Sequence, residues 1–164
     1  MERIRRNIFI EAPPAKVFDY LTDATHLPEI WPSVVEVSKV HAKPDGALDF
    51  DWTYKMAGLK FHGHSETTKV ERDRYRVVRN EGGIPATSRW GFEAKDGGTD
   101  FTLEVEYEMP KNLLARLAMP FLLRVNEREA DALVHNLKER MEMAQPVAWR
   151  KQPAPSTRPL DAGR

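Results

Sequence analysis

Alternation of apolar and polar residues dominates the middle of the chain. Between residues 48 and 56 every second residue is apolar, and the residues between them are mostly charged. The same period of two recurs over residues 87–94 and 101–109. Successive side chains of a strand point to opposite faces, so these runs predict strands with one apolar face. Less regular runs predict further strands over residues 4–10, 34–40, 60–71 and 74–80.

Turn and helix signals separate these strands. The stretches KPDG at residues 43–46 and DGG at residues 96–98 indicate tight turns. Pro14 suits the first turn of a helix, and apolar residues follow it at helical spacing as far as Leu21. A second short helical segment is predicted over residues 24–30.

The period becomes helical at Lys111 and remains so to about residue 144. Pro120 is expected to kink or interrupt this helix. One apolar stripe of the predicted helix contains Leu122, Asn126, Ala130, Leu133, Val134, Leu137 and Met141. Residues 145–164 are proline-rich and poor in apolar side chains, so we predict one domain over residues 1–144 and a flexible tail after it.

The order of elements predicts the fold class. Consecutive strands joined by tight turns pair antiparallel, and a long amphipathic helix buries its stripe against such a sheet. We therefore predict an α+β fold in which a curved seven-stranded antiparallel sheet wraps around the long C-terminal helix. Two short helices follow the first strand. A cavity is predicted where side chains fail to fill the space between the sheet and the helix.

Three segments resemble a known family: IFIEAPPAKVFDYLTD, LPEIWPSVVEV and LLARLAMPFLLRVNEREADALVHNLKERME. They resemble the START-like, or helix-grip, superfamily, in the branch called polyketide cyclase/dehydrase and lipid transport. Members typically have a P-x-W-x-P corner before the second strand, and Pro28, Trp31 and Pro32 form a P-x-x-W-P version of it. The resemblance covers about residues 3–144. It implies the helix-grip fold, with ligands bound in a cavity between the sheet and the long helix.

Composition narrows the classes of function. The chain has 25 basic and 25 acidic residues, so its zero net charge gives no argument for a nucleic-acid partner. It has no cysteine, which excludes disulfides, thiolate metal sites and a thiol nucleophile. No apolar run approaches the roughly 20 residues that span a bilayer, and the N-terminus lacks the features of a signal peptide. These observations predict a soluble cytoplasmic protein.

Large apolar residues of the strand faces are the predicted lining of the cavity. Apolar pockets with a few polar groups are the usual composition of ligand sites. The alternatives are that the aromatic residues form a solid core, that Trp31 plugs one end of that core, and that Asn126 faces water. The predicted ligand-binding residues are Trp31, Phe50, Trp52, Tyr54, Trp90, Phe92, Tyr107, Leu122 and Asn126.

Metal binding is a weaker hypothesis. His62, His64 and Glu66 share one face of a predicted strand, and these residue types bind zinc or iron. In a straight strand they span ~13 Å, too far for one ion to reach all three. A solvated outer face or a polar cavity lining are the alternatives. No metal or cofactor is therefore predicted.

Catalytic residues stay unassigned. Acid–base or cyclase chemistry needs an ionisable group beside the substrate. No motif of the chain matches those of related cyclases position by position, and each candidate has a surface or structural alternative. The candidates are Tyr54, His62, His64, Glu66, Arg76 and Arg89.

Residues 113–123 are apolar on nearly every side and are flanked by Lys111, Arg116 and Arg124. This pattern fits a lid over the cavity, a surface that touches a membrane transiently, a homodimer interface or an ordinary buried helix start.

The predicted function is binding of a small hydrophobic molecule: a lipid, a quinone or a polyketide-like compound. The alternatives are a polyketide cyclase or dehydratase, an accessory protein at a membrane, and a protein-interaction module with a filled core.

Overall fold

The computed structural model describes residues 1–143. The predicted tail, residues 145–164, and the predicted domain boundary at 144 lie outside the described residues. The strands are β1 (Glu2–Ile10), β2 (Val34–Ala42), β3 (Leu48–Met56), β4 (Leu59–Glu71), β5 (Tyr75–Glu81), β6 (Ala86–Lys95) and β7 (Gly98–Tyr107). The helices are α1 (Pro14–Leu21), α2 (Leu27–Ile30), which a 3-10 turn (Ala24–His26) precedes, α3 (Lys111–Leu114) and α4 (Met119–Met143).

The seven strands form a single sheet in the order β1-β7-β6-β5-β4-β3-β2. Every neighbouring pair is antiparallel. This confirms the predicted α+β, helix-grip architecture. Two register shifts in the edge strand β2 and one between β4 and β5 interrupt the pairing. Such bulges bend the strand that carries them and so help to curve the sheet.

Helix α4 packs against the concave face of the sheet. Its apolar stripe is buried as the helical period predicts, with Leu122 and Leu137 fully buried. The side-chain amide of Asn136 donates to the carbonyl of Ile30 at 3.1 Å, which ties α4 to the end of α2. Arg6 of β1 forms ion pairs with Glu127 and Asp131 on the solvent side of α4.

An aromatic cluster forms the part of the core beneath α1. Phe18 of α1 meets Phe92 of β6 edge-on, with 5.3 Å between the ring centroids. Phe92 in turn contacts Phe101 of β7 at 5.5 Å. All three side chains are buried, so this cluster joins α1 to the centre of the sheet.

Two segments differ from the sequence-based expectation. The helical segment from Lys111 is interrupted, as expected, but the break lies at residues 115–118, before Pro120, which is in the first turn of α4. A proline there loses no helical hydrogen bond, because the first N–H groups of a helix have no partner within it. The last strand is shifted, since β7 starts at Gly98 and ends at Tyr107.

Candidate ligand-binding cavity

A cavity of about 140 Å³ lies between the sheet and α4. All seven strands contribute lining residues, as do α1, α2 and α4. The lining residues Leu21 and Trp90 are buried, and both contact Arg76, so these three residues form the buried end of the cavity. Trp31, Tyr54 and other lining residues keep part of their surface exposed, which marks the more open side.

The structure brings most of the predicted ligand-binding residues together around this cavity. Those that line it are Trp31, Phe50, Trp52, Tyr54, Trp90, Tyr107 and Asn126. Trp31 and Trp52 each meet Tyr54 edge-on, with centroid distances of 6.2 and 6.3 Å. Their rings therefore form one continuous aromatic wall.

Phe92 and Leu122 lie elsewhere, and their prediction as lining residues is corrected. Phe92 is in the aromatic cluster with Phe18 and Phe101. Leu122 packs with Met56 and Leu113 in a separate cluster near the start of α4. Phe92 shares a strand face with the lining residue Trp90, and Leu122 shares a helix stripe with the lining residue Asn126. The cavity does not extend along the whole of either surface.

Several polar groups of the lining already have partners. The indole N–H of Trp52 donates to the Ser65 hydroxyl at 3.0 Å, and that hydroxyl donates to Oδ1 of Asn80 at 2.5 Å. The indole N–H of Trp90 donates to the Ser88 hydroxyl at 3.0 Å. These bonds fix the orientation of both indole rings.

Two other lining residues each have a buried nitrogen that lacks a hydrogen-bond partner among the described residues. These nitrogens are Nε1 of Trp31 and Nε of Arg76. A buried donor without a partner loses its hydration and gains nothing in return. Both residues line the cavity, so each unsatisfied donor belongs to a side chain beside the unfilled space.

Tyr54 and Tyr107 stay protonated at neutral pH. Burial raises the pKa of Tyr54 well above its usual value, and the Glu129 carboxylate acts in the same direction. Burial also raises the pKa of Tyr107, with the Asn126 side chain acting the opposite way. Each hydroxyl thus keeps its proton, and that of Tyr54 donates to Sδ of Met56 at 3.7 Å.

Arg76 is 3% exposed and lines the buried end of the cavity. Its Nη2 donates to the carbonyl of Leu21 at 2.9 Å, and its Nη1 approaches the carbonyl of Gly46 at 3.5 Å. Burial lowers the pKa of Arg76 to about 10, so the side chain is still a cation at neutral pH. The other candidate arginine, Arg89, is exposed on the outer face over the ring of Tyr75.

The polar part of the lining was largely missed by sequence reasoning. Ser65, Asn80, Ser88 and Glu129 all line the cavity. Ser65 is a buried position in β4, whose alternation is weak, and Ser88 is a buried polar residue on the apolar face of β6. Arg76 shares its strand face with Val78 and Asn80, and that alternation was the one signal for an inward-facing arginine.

A family model described as polyketide cyclase/dehydrase and lipid transport matches residues 1–142. The chain belongs to this family. A search of curated proteins finds no match. The family assignment agrees with the resemblance seen in the sequence.

Solved structures of several other proteins share the fold. TTHA0849 from Thermus thermophilus has a TM-score of 0.76 at 20% identity, over 88% of this chain and 100% of its own. The Zhui aromatase/cyclase from Streptomyces sp. R1128 has a TM-score of 0.73 at 16% identity, over 90% and 98%. A START superfamily protein from Mycobacterium smegmatis has a TM-score of 0.66 at 12% identity, over 87% and 99%. At these identities the likeness is one of fold.

In this family member His62, His64 and Glu66 lie on the face of β4 that points away from the cavity. His64 contacts two carboxylates of β3, with Nδ1 at 2.7 Å from Asp51 and Nε2 at 2.9 Å from Asp49. Glu66 pairs with Arg79 at 2.9 Å. Across residues 1–143 no three histidine, aspartate or glutamate side chains are grouped so that they could hold a metal ion.

The His64 site predicts a specific titration. The hydrogen bond to Asp51 raises the pKa of His64 above its usual 6.5, and the Asp49 charge adds to this effect. The interaction therefore stabilises the fold at pH values below 6.5 and is lost as the pH rises through the raised pKa. We expect an NMR titration to give a His64 midpoint above 6.5 and the Asp51→Asn variant to lower it.

The control is Asp19→Asn, because Asp19 pairs with Arg72 and not with a histidine. That variant should leave the His64 midpoint unchanged. A wild-type midpoint at or below 6.5 would contradict the prediction.

A close contact between Gly63 and Trp52 predicts a second measurable effect. A Cβ atom on Gly63 would lie 2.2 Å from the Trp52 ring and 2.4 Å from the carbonyl oxygen of Glu81. A Gly63→Ala variant must therefore displace the cavity wall or the β4–β5 pairing. We expect the free energy of unfolding to fall by about 2–3 kcal/mol in chemical denaturation.

Gly91→Ala is the matched control, since Gly91 is also inside a strand but a Cβ there would meet nothing closer than 3.7 Å. That variant should be neutral or slightly stabilising, because alanine has less backbone freedom to lose than glycine. Equal losses for the two variants would show that the Trp52 contact is unimportant.

Residues 113–123 form a partly apolar surface. Leu113 is buried against Met56 and Leu122, whereas Leu114 and Phe121 are 36% and 44% exposed. The roles predicted for this segment, contact with a membrane or with a second copy of the chain, stay predictions. In the part of the chain that the structure describes, no helix has the length and apolar character needed to span a bilayer.

Proposed function

We propose that this family member binds a small hydrophobic molecule in the cavity between the sheet and α4, and carries or presents it in the cytoplasm. The observation that carries this proposal is the unfilled, mainly apolar space of about 140 Å³ with aromatic walls. Protein interiors are normally close-packed, so an unfilled apolar space of this size costs stability. A bound apolar molecule would recover that loss.

The volume indicates a compact ligand or a compact part of a larger one. An apolar cavity of about 150 Å³ binds benzene in a well-studied engineered case. The cavity of this protein is of similar volume, at about 140 Å³. A ligand with one aromatic ring therefore fits without rearrangement, and the more open side near Trp31 and Tyr54 leaves room for a further group.

The test is native mass spectrometry of protein purified gently from its own host, followed by extraction and identification of bound molecules. The expected result is a stoichiometric small hydrophobic compound. The same protein, emptied, should bind members of a panel of single-ring aromatics, quinones and medium-chain lipids. A protein that is empty as isolated and binds none of the panel would contradict the proposal and favour an interaction module.

A second candidate is a cyclase or dehydratase. The observation that favours it is that ionisable groups line the cavity, with Arg76 at its buried end and Tyr54 on its more open side. A cation and a neutral phenol could polarise a carbonyl while it reacts. Conversion of a linear poly-β-ketone thioester to an aromatic product, lost in both Arg76→Gln and Tyr54→Phe, would support this activity.

A further inference from the structure

Arg76 is a buried cation without an anion. The described residues include no carboxylate that pairs with it, and burial is the one cause acting on its pKa. Its Nε–H also has no hydrogen-bond partner. Placing an unpaired charge in a low-dielectric interior is costly, and a buried arginine is usually paired or bonded through most of its five donors.

The surroundings of Arg76 compensate only part of this cost. The carbonyl of Leu21 is at the C-terminal end of α1, where the helix dipole favours a positive charge. The guanidinium carbon also lies 5.9 Å from the ring centroids of both Phe18 and Trp90, a distance that allows cation–π attraction. These contacts hold the side chain in place, yet they supply neither a negative charge nor a partner for Nε–H.

The position of Arg76 puts this unsatisfied group where a ligand would reach it. The neighbouring lining residues Leu21 and Trp90 are buried, so water has little access to the guanidinium. Oxyanions match the planar donor fork of arginine, and the attraction is strongest away from water. A ligand that entered with an anionic end first would pair this charge.

We propose that the ligand is a small hydrophobic acid whose carboxylate binds Arg76 at the buried end of the cavity while its apolar part contacts the aromatic wall. This inference rests on the proposed function and specifies the ligand class for the same cavity. A purely structural role, in which Arg76 only ties α1 to the turn at Gly46, gives no preference for an acid.

The experiment compares 3-phenylpropanoate with 3-phenylpropanamide, which have the same shape and differ in charge. Calorimetry at pH 7 should show that the acid binds the wild-type protein at least about tenfold more tightly than the amide, because hydrogen bonds to ionised groups are the stronger ones. Arg76→Gln should reduce that ratio to about one, and Arg76→Lys should keep part of it. Arg89→Gln is the matched control, because Arg89 is exposed outside the cavity, and it should leave the ratio unchanged.

A spectroscopic readout locates the interaction without any variant. The Nε–H proton of Arg76 should shift downfield in NMR spectra when the acid binds and should stay nearly unshifted with the amide. If Arg76→Gln does not fold, this shift and the wild-type affinity ratio decide the question.

The outcomes separate the two proposals. Equal binding of the acid and the amide would overturn the acid proposal and leave the proposed function standing. A preference for the acid that survives in Arg76→Gln would overturn the role of Arg76. If neither molecule binds and the panel of hydrophobic compounds also fails, the proposed function itself is wrong.

Discussion

A Phe18→Ala variant should lose about 3–5 kcal/mol of its free energy of unfolding, the cost typical of removing a buried phenylalanine ring. Phe18 has no exposed surface, and its ring contacts Phe92 edge-on at 5.3 Å. It also packs against Gly46, where an added Cβ atom would lie 2.5 Å from the ring. The variant removes the contacts that hold α1 on the sheet and uncovers the charge of Arg76.

The measurement is chemical denaturation followed by circular dichroism. A domain of this kind is stable by ~5–15 kcal/mol in total, so the variant is expected to be largely unfolded at moderate denaturant concentrations. Phe121→Ala is the control, because Phe121 is 44% exposed and should lose less than ~1 kcal/mol. A loss below ~1 kcal/mol for Phe18→Ala as well would show that α1 is not held by this ring.

An Ala130→Phe variant should weaken binding of 3-phenylpropanamide by about 100-fold or more. Ala130 lines the cavity from α4 and is 7% exposed. A phenyl ring is about the size of the benzene molecule that occupies a cavity of ~150 Å³, so it would take most of the 140 Å³ available here. Because the new ring fills an unoccupied apolar space, the variant should fold with unchanged or higher stability.

Ala132→Phe is the control for this experiment. Ala132 lies on the same helix, is half-buried and does not line the cavity. That variant should bind the amide as the wild type does. If Ala130→Phe folds and also binds unchanged, the ligand site is somewhere other than this cavity.

The strands could be predicted because their pattern is local. In β3, Phe50 and Trp52 alternate with Asp51 and Thr53, and the structure places the first pair inside and the second pair outside. A strand exposes alternate residues to opposite faces whatever its partners are, so the pattern alone is sufficient. The break at residues 115–118 was less predictable, since Pro120 is compatible with both a kink and a new helix start.

The candidate site was predicted less completely than the fold. The aromatic wall of Trp31, Trp52 and Tyr54 follows from strand faces together with the family resemblance. Phe92 carries the same pattern and belongs to the solid core. Whether such a residue lines the cavity or joins the solid core depends on how α1 and α4 pack over the sheet. That packing is a long-range property, and local periodicity does not contain it.

The strands and helices, their apolar faces and the family resemblance can be assigned from the residues in order, because those properties depend on neighbours along the chain. Folding in three dimensions decided where the packed core ends and the cavity begins. It also decided that Arg76 is buried without a carboxylate, since that outcome depends on α1, the turn at Gly46 and β6 meeting around one side chain. Burial and charge pairing arise from contacts between distant segments, and those contacts exist only in the folded chain.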